Sequence, residues 1–429
     1  MSANEQGGLP VRDAVMHDDG QAAMRFDRVD FGWIMMNIGM AIGAGIVFLP
    51  VQVGLMGVWV FLLSAVIGYP GMYMFQRLFI NTLASASDSQ TYPDMIASYL
   101  GRPWGVAIGV LYFVMLVIWM FVYATAITRD SASYLHSFGL TKHLLSDHPW
   151  YPLVLMIGLV GLASRGEKIV FRLSTGLVLT KLLIVAVLGL LMVKQWNFSH
   201  LGGVPRLGDL TKKAIITLPF TLTSILFIQT LSPMVISYRA RIHSLEVARY
   251  KALRAMNIAF CILFVTVFFY AISFTLAMSH DNAVSAYRQN ISALAITAQL
   301  FPGSWAGSVG IVLNIFAVMT AFFGVYLGFK EACEGIVMAI LSRWEKTRSI
   351  SRERVIQGIT VFAILLSWGA ITANLPVLSF TTLSSPIFGI LGCLIPVYLV
   401  MHQPELRRYR RPGLFFIVAI GRLLLVSPL

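Results

Sequence analysis

The chain carries little charge for its length, and this scarcity decides the class of protein. Of its 429 residues, 12% are charged and 57% are hydrophobic, and the mean hydropathy is +0.77. A soluble domain needs a polar exterior, and one soluble core cannot hide so much apolar surface. The composition therefore predicts an all-α polytopic membrane protein, because helices satisfy their own backbone polar groups in lipid.

Cysteine is also scarce, and no CxxC pair occurs among the three residues of this type. Cys261, Cys333 and Cys393 lie in or beside apolar segments at wide spacing, without nearby histidines. This pattern predicts small core residues and excludes a disulfide framework or a cysteine-based metal site. We expect no metal and no cofactor other than a coupling ion.

The N-terminal segment has no long apolar run. Residues 1–28 are polar and of mixed charge, with no apolar stretch beside the initiator and no small-residue cleavage site. They predict a disordered cytoplasmic tail, not a signal peptide. We expect residues 29–428 to form a single transmembrane domain.

Long apolar runs, by contrast, are abundant. At about 20 apolar residues per crossing, we predict eleven spans, of which the third is long and the fourth short. Their approximate ranges are 31–55, 57–82, 103–137, 151–164, 173–193, 212–238, 253–279, 305–330, 355–373, 377–400 and 413–428.

The basic residues are distributed unevenly between the two sides of these spans. Of the 32 Lys and Arg residues, 22 lie in the tail and in the loops after even spans, and 7 lie on the other side. The remaining three, Lys181, Lys330 and Arg422, lie within spans. Because cytoplasmic loops are rich in Lys and Arg, this split predicts a cytoplasmic N-terminus and a periplasmic C-terminus. The net charge of +13 therefore reflects topology, and we expect no nucleic-acid partner.

A glycine-rich segment in the first span, residues 37–50, is the least helix-like part of it. Gly39, Gly43 and Gly45 each cost about 1 kcal/mol relative to alanine in a helix. Small residues can let a neighbouring helix approach closely. Alternatively, the helix is interrupted so that freed backbone groups line a polar cavity.

The sixth span also contains residues that disfavour a continuous helix. Pro233 removes a backbone donor and disfavours helix at Ser232, within a run of polar residues. Spans one and six are five apart, and a duplicated unit of five spans must insert its second copy upside down. The pair therefore favours interrupted helices, with residues 31–193 and 212–400 as inverted repeats and residues 413–428 as an appended helix.

The two segments also carry a family resemblance. GMAIGAGIVFLP (39–50), the proline-containing second span and FIQTLSPMVISYRAR (227–241) resemble the bacterial hydroxy/aromatic amino acid permeases, in the amino acid–polyamine–organocation superfamily. The similarity is greatest to the serine-transporting branch of bacterial inner-membrane permeases. The resemblance implies a LeuT-like fold of five plus five inverted spans with an eleventh helix. It also implies proton-coupled uptake of a small amino acid by alternating access.

A zwitterionic amino acid needs partners for both of its charged groups. Half-helix N-termini offer unpaired amides to a carboxylate, and unwound C-terminal ends offer carbonyls to an ammonium. We predict that the amides of Gly43, Ala44 and Gly45 bind the carboxylate. The carbonyls predicted to bind the ammonium are those near Met40, Ala41 and Phe227.

Polar side chains of span six are candidates for a substrate hydroxyl. They are Gln229, Thr230 and Ser232, and the alternative is that they only hold helices together. Tyr123 in span three is a further candidate for the substrate carboxylate. Small residues in span one, with Thr230 and Ser232 in span six, fit a small hydroxylated side chain, so the predicted substrate is serine first, then threonine or cysteine, then an aromatic amino acid. One methylene changes affinity by only about 1 to 3 kcal/mol, so these alternatives stay open.

Lys181 is the single residue whose position in the sequence indicates a function most directly. It lies inside span five, too deep to extend easily to the membrane surface, and we expect no Asp or Glu at mid-depth. Desolvation disfavours an isolated charged amine. In carriers that this chain resembles, a span-five lysine takes the place of sodium near the span-one break. We predict that Lys181 couples transport to protons; the alternative is a structural ammonium bound to span-one carbonyls.

Other functional classes fit less well. A channel needs a continuous polar pore lining or a filter repeat, and the sequence offers neither. An enzyme needs a nucleophile, a metal cluster or an acid/base pair in the spans. Lys330, Glu331 and Glu334 are predicted to be a solvated cytoplasmic end of span eight. We therefore predict a transporter with an amino acid substrate and lipid neighbours, of undetermined oligomeric state.

Overall fold

The apolar runs of the sequence form α-helices joined by short connections. The structure, a computed structural model, describes residues 24–47, 49–86, 91–137, 139–288, 304–341, 351–373 and 377–426. Its α-helices are α1 (Arg28–Val47), α2 (Leu49–Met56), α3 (Val58–Ala84), α4 (Tyr92–Leu100), α5 (Arg102–Ser137), α6 (Trp150–Ser164), α7 (Glu167–Val193), α8 (Leu207–Thr223), α9 (Ile228–Arg241), α10 (Leu245–Ala277), α11 (His280–Arg288), α12 (Ser304–Leu341), α13 (Arg352–Thr372), α14 (Val377–Phe388), α15 (Ile395–His402) and α16 (Leu414–Val426).

These helices match the predicted spans in order. Span one corresponds to α1 and α2, span six to α8 and α9, and span ten to α14 and α15 with a π-helical segment, Gly389–Leu394, between them. Helix α5 is long, with 36 residues, and α6 is short, with 15, as predicted for spans three and four. Within the described residues, eight helical segments have the length and composition to cross a membrane, and α6 and α16 are shorter apolar helices.

Large apolar side chains face outward on the peripheral helices. Leu183 and Leu190 on α7 are 65% and 63% exposed, and Val154 on α6 is 60% exposed. In water such a surface would drive aggregation, whereas lipid tails solvate it. The outer surface is therefore that of a membrane protein.

Helix α1 lies at the centre of the bundle, where it packs against α7, α10 and α12. Helix α12 in turn packs along α5 and contacts α9. Residues on α1, α7, α9 and α12 can therefore meet in one buried region, which contains the candidate site.

The glycine-rich segment does not unwind at its glycines. Helix α1 remains helical through Gly43 and Gly45 to Val47, and α2 begins at Leu49. The predicted interruption at these glycines is therefore wrong. Close packing explains Gly39, because an added Cβ there would lie 2.9 Å from Val178 and 3.1 Å from Thr320.

Span six is interrupted as predicted, but at another position. Helix α8 ends at Thr223, residues 224–227 form a turn and an extended connection, and α9 begins at Ile228. The prediction that Pro233 ends the helix at Ser232 is wrong, since both residues lie inside α9. Pro233 is the sixth residue of α9, and the helix continues through it with the loss of one backbone hydrogen bond.

Several other predictions have definite outcomes. Ser244 caps α10, the helix of span seven, by accepting a hydrogen bond from the Val247 amide. Cys333 and Cys393 are buried, but Cys261 is exposed, so the prediction of a core position is wrong for Cys261. The tail up to residue 23 lies outside the described residues.

Candidate functional site

Lys181 joins three helices at the centre of the bundle. Its Nζ atom donates to the carbonyl oxygen of Gly39 on α1 at 3.3 Å and to Oγ1 of Thr320 on α12 at 2.5 Å. The side chain is fully buried. Because α7 runs from Glu167 to Val193, Lys181 lies near its middle, about 21 Å from its start at 1.5 Å per residue. Its amine is therefore held at the middle of the helix by neutral oxygens.

The Thr320 hydroxyl completes this arrangement. Oγ1 of Thr320 lies 3.1 Å from the Gly39 carbonyl oxygen and 3.0 Å from the Phe316 carbonyl oxygen. One hydroxyl proton serves one acceptor at a time, so the lone pairs of Oγ1 remain available to Lys181. The three groups form a compact unit in which loss or gain of a proton at Lys181 changes the contact between α1 and α12.

Asn37 connects the two predicted half-sites, although it was not among the predicted site residues. The Thr230 hydroxyl lies 2.7 Å from Oδ1 of Asn37 and 2.8 Å from the Phe227 carbonyl oxygen. Nδ2 of Asn37 donates to the sulfur of Met234 at 3.4 Å. All four side chains are buried. This contact fixes α1 against the first turns of α9, and a polar residue inside an apolar run was the available signal.

Gln229 is the polar residue of span six that is open to a further partner. Its side chain is 1% exposed, and Oε1 has no hydrogen-bond partner among the described residues. Because Pro233 has no N–H, the Gln229 carbonyl also lacks its usual helical donor. An unsatisfied buried acceptor costs about 1 to 3 kcal/mol, so Gln229 is well suited to accept hydrogen bonds from a ligand. Thr230 and Ser232 already have protein partners.

The helix α12 passes close to α9 at Gly328. A Cβ atom at Gly328 would lie 2.6 Å from the Gln229 carbonyl oxygen and 3.1 Å from Leu116. The glycine therefore allows the two helices to meet at the freed carbonyl.

We predict that Gly328→Ala destabilises the protein by about 1 to 3 kcal/mol, because the added methyl group forces α9 and α12 apart. Thermal unfolding in detergent measures this effect. Gly358→Ala is the control, since nothing lies within 4 Å of its added Cβ, and it should be slightly stabilising through helix propensity. Equal melting temperatures for the two variants would contradict the close approach.

The connection between α8 and α9 is held from span two. Oε1 of Gln76 on α3 accepts from the Phe227 amide at 3.4 Å, and the Ser64 and Thr221 hydroxyls are 2.9 Å apart. Phe227 is fully buried. The first amides of α9, at Ile228 and Gln229, have no preceding helical turn to receive them. The interruption therefore presents backbone groups inside the bundle, as the sequence predicted for span six.

The structure describes the surroundings of only some of the other predicted substrate-binding residues. Met40, Ala41 and Tyr123 are buried, and Tyr123 packs on Trp119 at a ring-centroid distance of 5.4 Å. Met40 also lies beside α12, where a Cβ at Gly324 would be 3.0 Å from its sulfur. The backbone of Gly43, Ala44 and Gly45 is helical and belongs to α1, whereas the structure does not describe the contacts of these three residues. A substrate role for these residues stays a prediction.

Glu331 is the functional candidate that sequence reasoning missed. It was predicted as part of a solvated end of span eight, and it is buried instead. Oε2 of Glu331 accepts from the Ser232 hydroxyl at 3.1 Å, and Oε1 accepts from the Tyr92 amide. The prediction that Glu331 belongs to a solvated helix end is therefore wrong.

An ion cluster closes one end of α1. Oδ2 of Asp30 lies 2.6 Å from Arg254 and 3.5 Å from Lys251, and the Tyr238 hydroxyl donates to Oδ1 at 2.7 Å. Partial burial opposes ionisation of Asp27, but Lys251 and nearby amides outweigh it and lower the pKa of that carboxyl. The cluster ties the start of α1 to the end of α9 and the start of α10.

A cavity of about 240 Å³ lies at the other end, between α2, α3, α10 and residues 200–205. Nδ1 of His280 lies 3.0 Å from the Gly54 carbonyl oxygen, and Nδ1 of His200 lies 2.9 Å from the Leu276 carbonyl oxygen. These contacts hold together the connections between helices at this end of the bundle. The candidate site thus lies between an ion cluster on one face and a small cavity on the other.

Comparison with known structures identifies the class. The fold resembles that in the crystal structure of MhsT in complex with L-phenylalanine, with a TM-score of 0.57 and 15% sequence identity, covering 94% of this chain and 97% of that one. The chain therefore has the fold of LeuT-like membrane transporters, as predicted. The repeat boundaries and the role of the eleventh helix remain predictions.

The family follows from sequence comparison. The amino acid permease family model matches residues 31–429, and the chain belongs to this family. The "Probable serine transporter" of Escherichia coli strain K12 is 64% identical over 420 residues, covering 97% of this chain and 95% of that protein. The "Serine transporter SdaC" of the same strain is 26% identical, covering 91% of each chain. The predicted identification as an amino acid permease is confirmed, and the protein is a multi-pass membrane transporter.

Proposed function

We propose that the protein imports serine together with protons across the bacterial inner membrane. The observation that carries the proposal is the buried Lys181 amine on the Gly39 carbonyl and the Thr320 hydroxyl. The names of the relatives support serine as the substrate. Threonine, cysteine and aromatic amino acids are the alternatives.

The substrate is proposed to lie between α1 and the interruption of span six. The Gln229 side-chain oxygen and carbonyls near Met40, Ala41 and Phe227 can accept from the ammonium or the hydroxyl of serine. Amides at Gly43, Ala44 and Gly45 are the predicted carboxylate partners, and they require local opening of α1 because they lie within a helix. Tyr123 is the predicted additional partner of the carboxylate.

Coupling follows from the two protonation states of Lys181. A charged ammonium attracts the Gly39 carbonyl strongly, since hydrogen bonds with an ionised partner are about twice as strong as neutral ones. Loss of the proton weakens this contact and relaxes α1 against α12. Binding of a proton from outside and its release inside would then favour different conformations.

Alternating access requires each face to open in turn. We propose that the ion cluster of Asp30, Arg254 and Tyr238 closes the cytoplasmic face when α1, α9 and α10 are together. Breaking it would let these helices separate from one another. The opposite face would open around the cavity next to His280.

Uptake of radiolabelled serine into proteoliposomes tests the proposal. We expect accumulation when an inward proton gradient is imposed in sodium-free buffer, and little accumulation without it. Unlabelled threonine, cysteine, phenylalanine and tryptophan serve as competitors. Indifference to the gradient would contradict proton coupling, and stronger competition by an aromatic amino acid than by serine would contradict the substrate assignment.

A further inference from the structure

Glu331 is a buried carboxyl group without an ion-pair partner in the part of the chain that the structure describes. Its described hydrogen-bond partners are neutral: the Ser232 hydroxyl, the Tyr92 amide and the Tyr112 hydroxyl. It lies within the apolar segment Ile311–Met338 of α12, which has the composition of a membrane span. A buried carboxylate in such a place is costly and usually functional.

Ser232 and Tyr92, two partners of Glu331, belong to different helices. Ser232 lies on α9, five residues after the interruption of span six, and Tyr92 is the first residue of the short helix α4. Glu331 itself lies on α12, three residues after Gly328 meets the freed Gln229 carbonyl. The carboxyl group therefore joins α9, α4 and α12 at one point.

Among the described residues, the titratable groups that interact electrostatically with Glu331 carry no positive charge, and the adjacent Lys330 forms no ion pair with it. Asp94 and Tyr92 from α4, Tyr112 from α5 and Cys333 from α12 interact with it electrostatically. Rings of Tyr92 and Tyr112 are 4.5 Å apart.

Polar atoms in the same region lack partners. The hydroxyl of Tyr92 and Oε1 of Gln229 are buried and have no hydrogen-bond partner among the described residues. Buried unsatisfied polar groups often mark sites that water or a ligand occupies. Here they extend from the interruption of span six towards α4.

Geometry controls which form of the carboxyl group is favoured. Donation from Ser232 and from the Tyr92 amide stabilises the carboxylate, and withdrawal of either donor favours protonation. Separation of α9 and α4 from α12 changes both donors and admits water. Conformation and proton occupancy at this position are therefore linked, and each must influence the other.

We propose that Glu331 is a proton-binding site between the interruption of span six and the cytoplasmic face, which takes up or releases one proton as α9 moves against α12. The proton binds to a carboxylate oxygen and leaves to cytoplasmic water, so no co-reactant is needed. This inference deepens the proposed function and rests on it. It adds a second proton site, separate from Lys181, on the exit side of the substrate.

Glu331→Gln is the central variant, because glutamine keeps the shape and cannot release a proton. Glu334→Gln is the matched control, since Glu334 lies one turn further on α12 and pairs with exposed Arg352. Glu331→Asp keeps the carboxyl group and distinguishes a lost proton site from a lost contact. All three are compared with the wild type as full-length protein in proteoliposomes.

Transport gives the first readout. We expect the ratio of gradient-driven serine uptake to serine exchange to fall at least about tenfold in Glu331→Gln, within the usual range of coupling energies. Glu334→Gln should match the wild type, and Glu331→Asp should lie between them. A wild-type ratio in Glu331→Gln would overturn the proposal, as would an equal loss in Glu334→Gln.

Infrared difference spectra give a second readout that does not depend on transport. Over a pH titration, the wild type should show a carbonyl band of a protonated carboxylic acid that Glu331→Gln lacks and Glu334→Gln retains. Absence of a difference between the wild type and Glu331→Gln would overturn the proton site. If serine uptake by the wild type does not respond to the proton gradient, the proposed coupling is wrong. The infrared carbonyl band still shows whether Glu331 binds a proton.

Discussion

Replacing Lys181 with alanine is expected to abolish the response of serine uptake to a proton gradient. The amine contacts α1 through Gly39 and α12 through Thr320, so its removal deletes the protonatable link between the two helices. Coupling energies between two sites typically correspond to factors of about 5 to 150, and we expect a loss in that range. The measurement is gradient-driven uptake divided by exchange in proteoliposomes.

The control for this variant lies on the same helix. Lys194→Ala removes an exposed lysine at the end of α7 and should leave the ratio unchanged. Thr320→Val removes only the hydroxyl that Lys181 contacts, and we expect a smaller loss in the same direction. If Lys181→Ala accumulates serine at the wild-type level under a gradient, the lysine is a structural ammonium and coupling lies elsewhere.

Lys181 shows what a sequence can reveal about a membrane site. Its charge within an apolar run marked it, because lipid does not tolerate an unpartnered ammonium. The identity of its partners was less accessible, since Thr320 lies 139 residues further along the chain. Only the packing of α7 and α12 against α1 brings these groups together.

The interruptions were predicted in kind and misplaced in position. Spans one and six are five spans apart, which is an odd number, and this favoured a pair of inverted repeats. Span six is interrupted. The position differed because proline and glycine lower helix stability without fixing where a helix ends. Pro233 frees the Gln229 carbonyl inside α9, and Gly39 provides space for Val178 and Thr320.

Glu331 was missed because depth in a membrane protein depends on tertiary packing. In the sequence, Lys330, Glu331 and Glu334 form a charged group at the end of an apolar run, which is typical of a solvated helix end. In the structure, α4 and α9 cover one side of α12 there, and only Glu331 is directed to them. The sequence of a short connecting helix such as α4 does not indicate which helices it packs against.

Asp30→Asn is expected to have the second large effect, through the ion cluster that we propose to close the cytoplasmic face. Asp30 is 1% exposed and contacts Arg254, Lys251 and Tyr238. Removing one partner of a buried ion pair costs about 3 to 5 kcal/mol, because the remaining charge is left uncompensated. We expect a lower melting temperature in detergent and greater reactivity of a cysteine introduced at the cytoplasmic end of α9.

An exposed ion pair of the same face provides the contrast for Asp30→Asn. Glu246 pairs with Arg249 and Arg408, and both partners and the carboxylate are substantially exposed. Exposed pairs contribute about 0 to 1 kcal/mol, so Glu246→Gln should change melting temperature and cysteine reactivity little. The two variants remove one charge each from neighbouring sites, and burial is the main difference between them. Equal effects would show that net charge, and not the closed contact between α1, α9 and α10, determines the state of the cytoplasmic face.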